Sequence, residues 1–414
     1  MGSINIDNTG SGGAITLSSD GTSLLLGGSA VGGADLYLAN ASSATANTVT
    51  GANAIGIGSN NTASGESSLS FGVNATASQV GAFAVGRNTT ASGADSFAFG
   101  ASAVSSGSNT LAIGSNTDAT GNSSVAIGNT AQSVGAYSVA LGQSYASGTD
   151  SFAAAIATNG SSYGATGDYS IALGRNAKAT SSDSLAFGRT TQATTAYATA
   201  IGYNCLASGN YSVALGYATT ASGNNSIAAG ASSTYNERAN ATGHGSVALG
   251  GAYANGVDSV AIGASAKSTQ IGKISFSNDK FSAVGDSQGG QFILRCDTTD
   301  ATATVLTTNN SSAGSTNQIV AASDTCITFD GTITAMQNGA QAYASWRIEG
   351  LLVNDGGTTT LANSATTVID NQSDWVMALS ADNTNNALAI ACTGEASHNI
   401  RWVANIRTTE VTYA

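Results

Sequence analysis

The chain has 414 residues, of which 52 are glycine, none is proline and only 9% are charged. The formal net charge is −12, and no stretch is rich in lysine and arginine, which excludes a phosphate-binding surface for nucleic acid. Membrane insertion is not expected, because an acidic chain is repelled by anionic membrane surfaces and no run approaches the roughly 18 apolar residues of a membrane helix.

The first segment, residues 1–50, is rich in glycine and serine and carries short apolar runs at residues 14–17 and 23–26. Ser19, Asp20 and Gly21 between these runs are a turn signal, so we predict a β-hairpin within a short β attachment segment. The first 30 residues lack a charged stretch followed by a long apolar core, so a signal peptide is not expected.

Residues 51–270 repeat the phrase Ser-apolar-Ala-apolar-Gly about every 14 residues, as at residues 96–100, 124–128, 138–142 and 212–216. A short fixed period indicates one structural unit that stacks on copies of itself. A second, less regular tract of small residues follows the glycine and ends in a turn. The absence of proline also favours continuous strand pairing. We therefore predict an all-β parallel β-roll with two strands and two turns in each coil.

Alternation within the phrase places large apolar side chains on one face of a strand and the small alanine on the other. A coil this short encloses little core. The face with the large apolar side chains is therefore expected to be buried between chains, and a homotrimer would bury it. The predicted trimer-core residues are Phe97, Phe99, Val125, Ile127, Val139, Leu141, Val213 and Leu215.

The period is interrupted between Gly142 and Gly174 and again between Gly230 and Gly250. Insertions in solenoids form loops on one face, where they can carry binding residues. They also occur as tolerated variation in length, and both interpretations stay open for these two segments.

Residues 271–414 lose the period and show strand-like runs at residues 291–295, 325–329, 344–353, 375–379 and 400–406. Turn signals separate the runs, such as those at residues 354–357 and 382–386. Alternating strands and turns of this kind predict a separate antiparallel β-sandwich domain.

The four cysteines, Cys205, Cys296, Cys326 and Cys392, are not closely spaced, and the chain has only 2 histidines. Metal centres need closely spaced ligands, so no metal is predicted. Cys205 occupies a position where neighbouring repeats have alanine or threonine, and we expect a small buried side chain there. A disulfide between Cys296 and Cys326 stays open.

The phrases at residues 124–128 and 212–216, together with tracts such as residues 88–93, resemble the head repeats of the YadA-like trimeric autotransporter adhesins. The resemblance covers roughly half of the chain and implies a left-handed parallel β-roll and a homotrimer. The region after the repeats resembles the terminal β-domains of bacteriophage fibres.

These resemblances imply a structural and adhesive trimeric fibre on a virion surface, either a tail fibre or a capsid fibre. Residues 1–50 would attach the fibre to other virion proteins, and the C-terminal tip would bind a host-surface glycan or protein. The alternative is a fragment of a bacterial cell-surface trimeric adhesin.

The residue pattern supports no enzyme, no catalytic residue and no cofactor. Asp95, Asp150, Asp183 and Asp258 each precede a repeat serine and form an intermittent row. Glycan hydrolysis instead needs two carboxylates at a defined separation. We interpret the row as turn residues that bond to nearby backbone.

The C-terminal region offers candidate receptor-binding residues, because carbohydrate sites combine an aromatic platform with polar groups. They are Asn354, Asp355, Trp375, Asp382 and Asn383. Asp370 and Asp374 lie near Trp375, but the apolar run after this tryptophan favours a core position.

A row of threonines raises ice binding as a third function. The row contains Thr89, Thr117, Thr191 and Thr219, and alanine, cysteine and tyrosine interrupt it. Because ice binding needs an unbroken array, this function is not favoured.

Overall fold

The computed structural model describes residues 4–6, 15–19, 24–26, 29–31, 45–155, 162–230, 238–339, 342–371 and 375–413. Every regular element in these residues is a β-strand, and none is a helix. The chain divides into two compact units, Met1–Asp183 and Ser184–Ala414.

The first unit begins with four short strands that pair in sequence order as an antiparallel sheet. They are β1 (Ile4–Ile6), β2 (Ile15–Ser19), β3 (Leu24–Leu26) and β4 (Ser29–Val31). The apolar runs predicted as strands lie in β2 and β3, where Leu17 is opposite Leu26. Asp20 and Gly21 of the predicted turn lie outside the described residues.

The rest of the first unit is a parallel β-solenoid in which strands of two sheets alternate along the chain. The strands are β5 (Thr48–Val49), β6 (Ile55–Ser59), β7 (Thr62–Ala63), β8 (Leu69–Val73), β9 (Thr76–Ala77), β10 (Phe83–Arg87), β11 (Thr90–Ala91), β12 (Phe97–Ala101), β13 (Val104–Ser105), β14 (Leu111–Ile113), β15 (Asp118–Ala119), β16 (Val125–Ile127), β17 (Gln132–Ser133), β18 (Val139–Gly142), β19 (Tyr145–Ala146), β20 (Phe152–Ala155), β21 (Gly164–Ala165), β22 (Ile171–Leu173) and β23 (Lys178–Ala179). The even-numbered strands carry the Ser-apolar-Ala-apolar-Gly phrases and form one sheet, and the odd-numbered strands form the other.

Strands of neighbouring coils pair in parallel, with equivalent residues of the repeat side by side. Ala98 is the register partner of Ala84 in the preceding coil and of Ala112 in the following coil. The 14-residue period therefore becomes a column of equivalent repeat positions along each sheet. The predicted parallel β-roll with two strands in each coil is confirmed, and its handedness stays a prediction.

Small side chains fill the inside of each coil. Ala98, Ala112 and Ala126 have no exposed surface. The repeat serines are also buried, and the Ser96 hydroxyl donates a hydrogen bond of 2.7 Å to the carbonyl oxygen of Gly93. The buried Ser96 hydroxyl is tolerated because this backbone carbonyl replaces the water that it loses.

The second unit continues with the same two kinds of strand. They are β24 (Leu185–Arg189), β25 (Gln192–Ala193), β26 (Thr199–Tyr203), β27 (Leu206–Ala207), β28 (Val213–Tyr217), β29 (Thr220–Ala221), β30 (Ile227–Ala229), β31 (Asn240–Ala241), β32 (Val247–Leu249), β33 (Tyr253–Ala254), β34 (Val260–Gly263), β35 (Lys267–Ser268) and β36 (Ile274–Ser277). The two units together carry about 15 turns of solenoid. Residues 156–161 and 231–237, within the two interruptions of the period, lie outside the described residues.

The remainder of the second unit is antiparallel. Its strands are β37 (Ser287–Thr298), β38 (Thr304–Val305), β39 (Ile319–Val320), β40 (Thr325–Gln337), β41 (Tyr343–Asp355), β42 (Thr358–Asn371), β43 (Val376–Asp382), β44 (Ala387–Thr393) and β45 (Ile400–Thr412). A large sheet has the order β36-β37-β45-β40-β41-β42. In a smaller sheet, β44 pairs with β38, β39 and β43.

Both C-terminal sheets contribute to one apolar core, with Phe292 and Trp402 from the large sheet and Ile390 from the smaller one. The Trp402 ring lies 5.5 Å from the Trp346 ring and 5.7 Å from the Trp375 ring, measured between centroids. The region is therefore antiparallel, as predicted, and a true β-sandwich arrangement of the two sheets stays a prediction.

A buried ion pair joins the last coil to the C-terminal sheet. Lys273 Nζ lies 2.7 Å from Glu410 Oε2, and the two side chains are 4% and 7% exposed. Thr408 Oγ1 donates to Glu410 Oε1 at 2.7 Å, and Gln288 Nε2 donates to Glu410 Oε2 at 2.8 Å. Gly290 leaves room for the pair, since a Cβ at this position would overlap Thr408 Oγ1.

Candidate interaction surfaces

The outer side chains of the phrase-bearing strands form a row of large apolar residues, which we call the apolar face. In the first unit it contains Ile55, Ile57, Leu69, Phe71, Phe83, Val85, Phe97, Phe99, Leu111, Ile113, Val125, Ile127, Val139, Leu141, Phe152, Ile171 and Leu173. Phe71 is 48% exposed and Phe99 is 50% exposed. These side chains point outward because the space inside the coil holds only residues such as Ala98.

The apolar face of the second unit follows the same rule. It contains Leu185, Phe187, Ile201, Val213, Leu215, Ile227, Val247, Leu249, Val260, Ile262, Ile274 and Phe276. Phe187 is 51% exposed and Phe276 is 56% exposed. Exposed apolar residues that repeat in register along a sheet are typical of a surface that binds a partner.

The structure places all the predicted trimer-core residues on the apolar face. Phe99 and Ile127 are exposed, and the others, Phe97, Val125, Val139, Leu141, Val213 and Leu215, are half-buried. Their outward orientation follows from the alternation that the sequence shows. Their contact with another chain stays a prediction.

Two stacked tyrosine pairs flank the apolar face in the second unit. The Tyr197 and Tyr211 rings lie 4.7 Å apart at one end of the phrase-bearing strands, and the Tyr203 and Tyr217 rings lie 5.1 Å apart at the other. The Arg189 guanidinium lies 5.2 Å from the Tyr203 ring centroid. Sequence reasoning missed these pairs, although tyrosines 14 residues apart were a visible signal.

The threonine row considered for ice binding lies inside the coils. Thr89 and Thr117 have no exposed surface, and the Thr89 hydroxyl donates to the Gly100 carbonyl at 2.7 Å. Cys205 occupies the equivalent position, with its Sγ 3.0 Å from the Gly216 carbonyl oxygen. The prediction of a small buried cysteine is confirmed, and the inward threonines cannot contact ice.

Two of the predicted receptor-binding residues are buried. Asn354 is 1% exposed, and its Nδ2 donates to the Ala321 carbonyl at 2.8 Å. Trp375 is 3% exposed and belongs to the C-terminal core. Asn371 fixes the Trp375 backbone by accepting from its N–H at 3.2 Å and donating to its carbonyl at 2.8 Å. Neither Asn354 nor Trp375 presents its side chain to a receptor, because cross-strand packing turns both inward.

The other three receptor-binding candidates lie on two neighbouring turns. Asp355 is exposed at the turn between β41 and β42. Asn383, in the turn between β43 and β44, accepts a hydrogen bond of 2.7 Å from the Thr359 backbone N–H, close to the first turn. Burial alone would raise the Asp382 pKa, but hydrogen bonds from Asn385 and Thr384 hold that pKa below its usual value. We call residues 355–358 and 382–384 the paired turns.

The aspartates that precede repeat serines are turn residues. Asp95, Asp150, Asp183 and Asp258 have φ angles of 52°, 53°, 57° and 54°, in the left-handed region where a short polar side chain is favoured. The part of the chain that the structure describes contains no cluster of three or more potential metal ligands. It also contains no helix that is long and apolar enough to span a membrane.

The YadA head domain repeat family matches the chain in 10 segments between residues 50 and 272, some of which overlap, and residues 145–164 are not matched. A search of curated proteins finds no match.

Two solved structures align with most of the length of the chain. The tailspike protein gp49 of Acinetobacter baumannii bacteriophage Fri1, a capsular polysaccharide depolymerase, shares 10% identity over 92% of this chain and 71% of that chain, with a TM-score of 0.21. The Acinetobacter baumannii phage AM24 tailspike shares 12% identity over 88% of this chain and 68% of that chain, with a TM-score of 0.18. At these TM-scores neither likeness supports a conclusion on fold or function.

Proposed function

Because the chain belongs to the YadA head domain repeat family through residues 50–272, we propose that it is a structural and adhesive fibre that assembles as a homotrimer. The observation that carries the proposal is the apolar face, which a single chain leaves in contact with water. Three copies related by a three-fold axis would bury their apolar faces against one another around that axis.

The energy available from this burial is large. A phenylalanine side chain presents about 150–250 Å² to burial, so the half that Phe99 exposes corresponds to about 100 Å². At 25 cal/mol per Å², burying this surface stabilises the assembly by about 2.5 kcal/mol in each chain. Phe71 and Phe187 are exposed to a similar extent. A few such residues therefore offset the entropy that association costs.

The tip of the fibre is assigned to the C-terminal antiparallel region, which we propose binds a host-surface glycan or protein. Its exposed polar turns support this role, in particular Asp355 and Asn383 on the paired turns. Residues 1–50 are assigned to attachment to other virion proteins. The proposed setting is a virion surface, and a bacterial cell-surface adhesin is the alternative.

We infer a binding role in place of a catalytic one. The aspartates that precede repeat serines lie on turns of separate coils, and hydrolysis of a glycan needs a pair that flanks one bond. The adhesive function needs only an exposed, rigidly held set of side chains on the tip.

Binding to whole bacterial cells tests the adhesive role. The full chain, labelled with a fluorophore, is titrated onto a panel of capsulated and uncapsulated cells, beside an Asp355→Ala, Asn383→Ala double variant. The proposal expects saturable binding to some strains that the double variant loses. Release of oligosaccharides from purified capsule in the same incubation would establish an enzyme and overturn the non-catalytic assignment. Binding that the double variant retains in full would remove the paired turns from the receptor site.

A further inference from the structure

Two buried cysteines from different C-terminal sheets face each other. Cys296 lies on β37 of the large sheet and Cys392 on β44 of the smaller sheet, and the two are 4% and 0% exposed. Thr304 places them together, since it is the register partner of Cys392 and its carbonyl oxygen lies 4.0 Å from Cys296 Sγ. Both thiols belong to the shared apolar core.

The Cys296 side chain also lies within hydrogen-bonding reach of the Cys392 thiol. A hydrogen bond with Cys296, burial and the charge of a Cys296 thiolate together raise the pKa of the Cys392 thiol. A raised pKa keeps the Cys392 thiol protonated and slow to react while the core is closed. Oxidation therefore requires folding in an oxidising medium or opening of the core.

The pairing of Cys296 with Cys326 that the sequence left open does not fit the strand register. On β45, Cys296 is opposite Trp402, whereas Cys326 is opposite Val411, nine residues further along the same strand. Neighbouring strand residues are about 3.4 Å apart, and a disulfide needs Cα atoms within about 7 Å. Cys326 is also only partly buried, so a bridge to Cys296 is excluded.

We propose that Cys296 and Cys392 form a disulfide that locks the two C-terminal sheets together when the protein meets an oxidising environment. Both cysteines are free thiols in the structure. The bond closes a loop of about 100 residues, and a cross-link over such a span strongly restricts the unfolded chain. Outside the cell, the disulfide would stabilise the proposed tip against unfolding and so preserve its binding surface.

The chemistry is a two-electron thiol–disulfide exchange with a small-molecule disulfide such as oxidised glutathione. One cysteine thiolate attacks a glutathione sulfur and releases the first glutathione thiol. The second cysteine then attacks the mixed disulfide and releases the second. The Cys296–Cys392 bond forms, the glutathione S–S bond breaks, and the two protein thiol protons end on the two reduced glutathione molecules.

Peptide mapping of the full chain tests the proposal. The chain is held with oxidised glutathione below its unfolding temperature, and a second sample is unfolded and refolded in a glutathione redox buffer. Both are alkylated in denaturant and digested without reduction. We expect a linked Cys296–Cys392 peptide in at least one sample, with Cys205 alkylated and Cys326 not linked to Cys296. Its absence from both samples would overturn the proposal.

Matched variants separate the bridge from general effects on folding. Oxidation is expected to raise the midpoint of thermal unfolding of the C-terminal region by about 5 °C or more. The Cys326→Ala variant should keep this shift, and the Cys392→Ala variant should lose it. An equal shift in both variants would contradict a Cys296–Cys392 bond, even if the Cys392→Ala chain starts from a lower midpoint.

Discussion

The stacking of coils depends on the glycine that ends most of the phrases, and Gly202→Ala is the sharpest test of this requirement. Gly202 has φ of 127°, a conformation that L residues adopt only with strain of about 1–3 kcal/mol. A Cβ at this position would also overlap the carbonyl oxygen of Gly216 in the next coil. Because the overlapped atom is backbone, the coil must shift, and we expect a total destabilisation of about 3–5 kcal/mol.

Gly356→Ala is the control for a positive φ without a steric overlap. Gly356 has φ of 55°, and a Cβ there would have no atom within 4 Å. An alanine in the left-handed region costs about 1–2 kcal/mol. Because φ of Gly202 lies outside the left-handed region around the φ of Gly356, the difference between the two variants measures the overlap with Gly216 together with the additional backbone strain at Gly202.

Hydrogen exchange read by mass spectrometry is the appropriate assay, because a chain with two compact units need not unfold in one step. We expect amides of β26 and β28 to lose protection by about 100-fold or more in Gly202→Ala, since each 1.4 kcal/mol is a factor of 10. Protection in these strands that falls by less than tenfold would refute the stacking argument.

Three further perturbations have defined outcomes. Phe99→Ser should weaken self-association by about 2–3 kcal/mol for each chain, measured by sedimentation at several concentrations, whereas Tyr137→Ser, at an exposed corner, should leave it unchanged. Glu410→Gln should lower the free energy of unfolding of the C-terminal region by about 3–5 kcal/mol, because Lys273 is left as a buried unpaired charge. Chemical unfolding measures this change, and a decrease below about 1 kcal/mol would contradict the role of the ion pair. Burial of Asp286 alone would raise its pKa, but the backbone N–H donors of residues 281–283 outweigh burial and hold the pKa below the usual 3.8. The stability of the folded chain should therefore fall as the pH drops below about 4. The Asp286→Asn variant should flatten this dependence of stability on acid pH, and an unchanged profile would refute the assignment.

The repeat array was predictable because its period and its alternation are local. Serine, alanine and glycine recur at fixed positions, so the sequence alone placed Ala98 inside and Phe99 outside, as the structure has them. The turn residues with positive φ are also partly visible in the sequence, because this conformation favours glycine, asparagine and aspartate. Tyr197 and Tyr211 adopt positive φ as well.

The C-terminal region was less predictable because its contacts join residues that are far apart in sequence. The sequence predicts Asn354 as an exposed turn residue, but its side chain is buried and donates a hydrogen bond to the distant Ala321 carbonyl. Lys273 and Glu410 form their ion pair across 137 residues. Cys296 meets Cys392 through the pairing of β38 with β44. No local pattern encodes such a meeting.

The mass of the full chain in solution tests the central claim most directly. Multi-angle light scattering, run from micromolar concentration downward, should give three times the 40.5 kDa of one chain, with the trimer persisting on dilution. A stable monomer at micromolar concentration would contradict the account, because the apolar face would then remain in water with no partner to cover it.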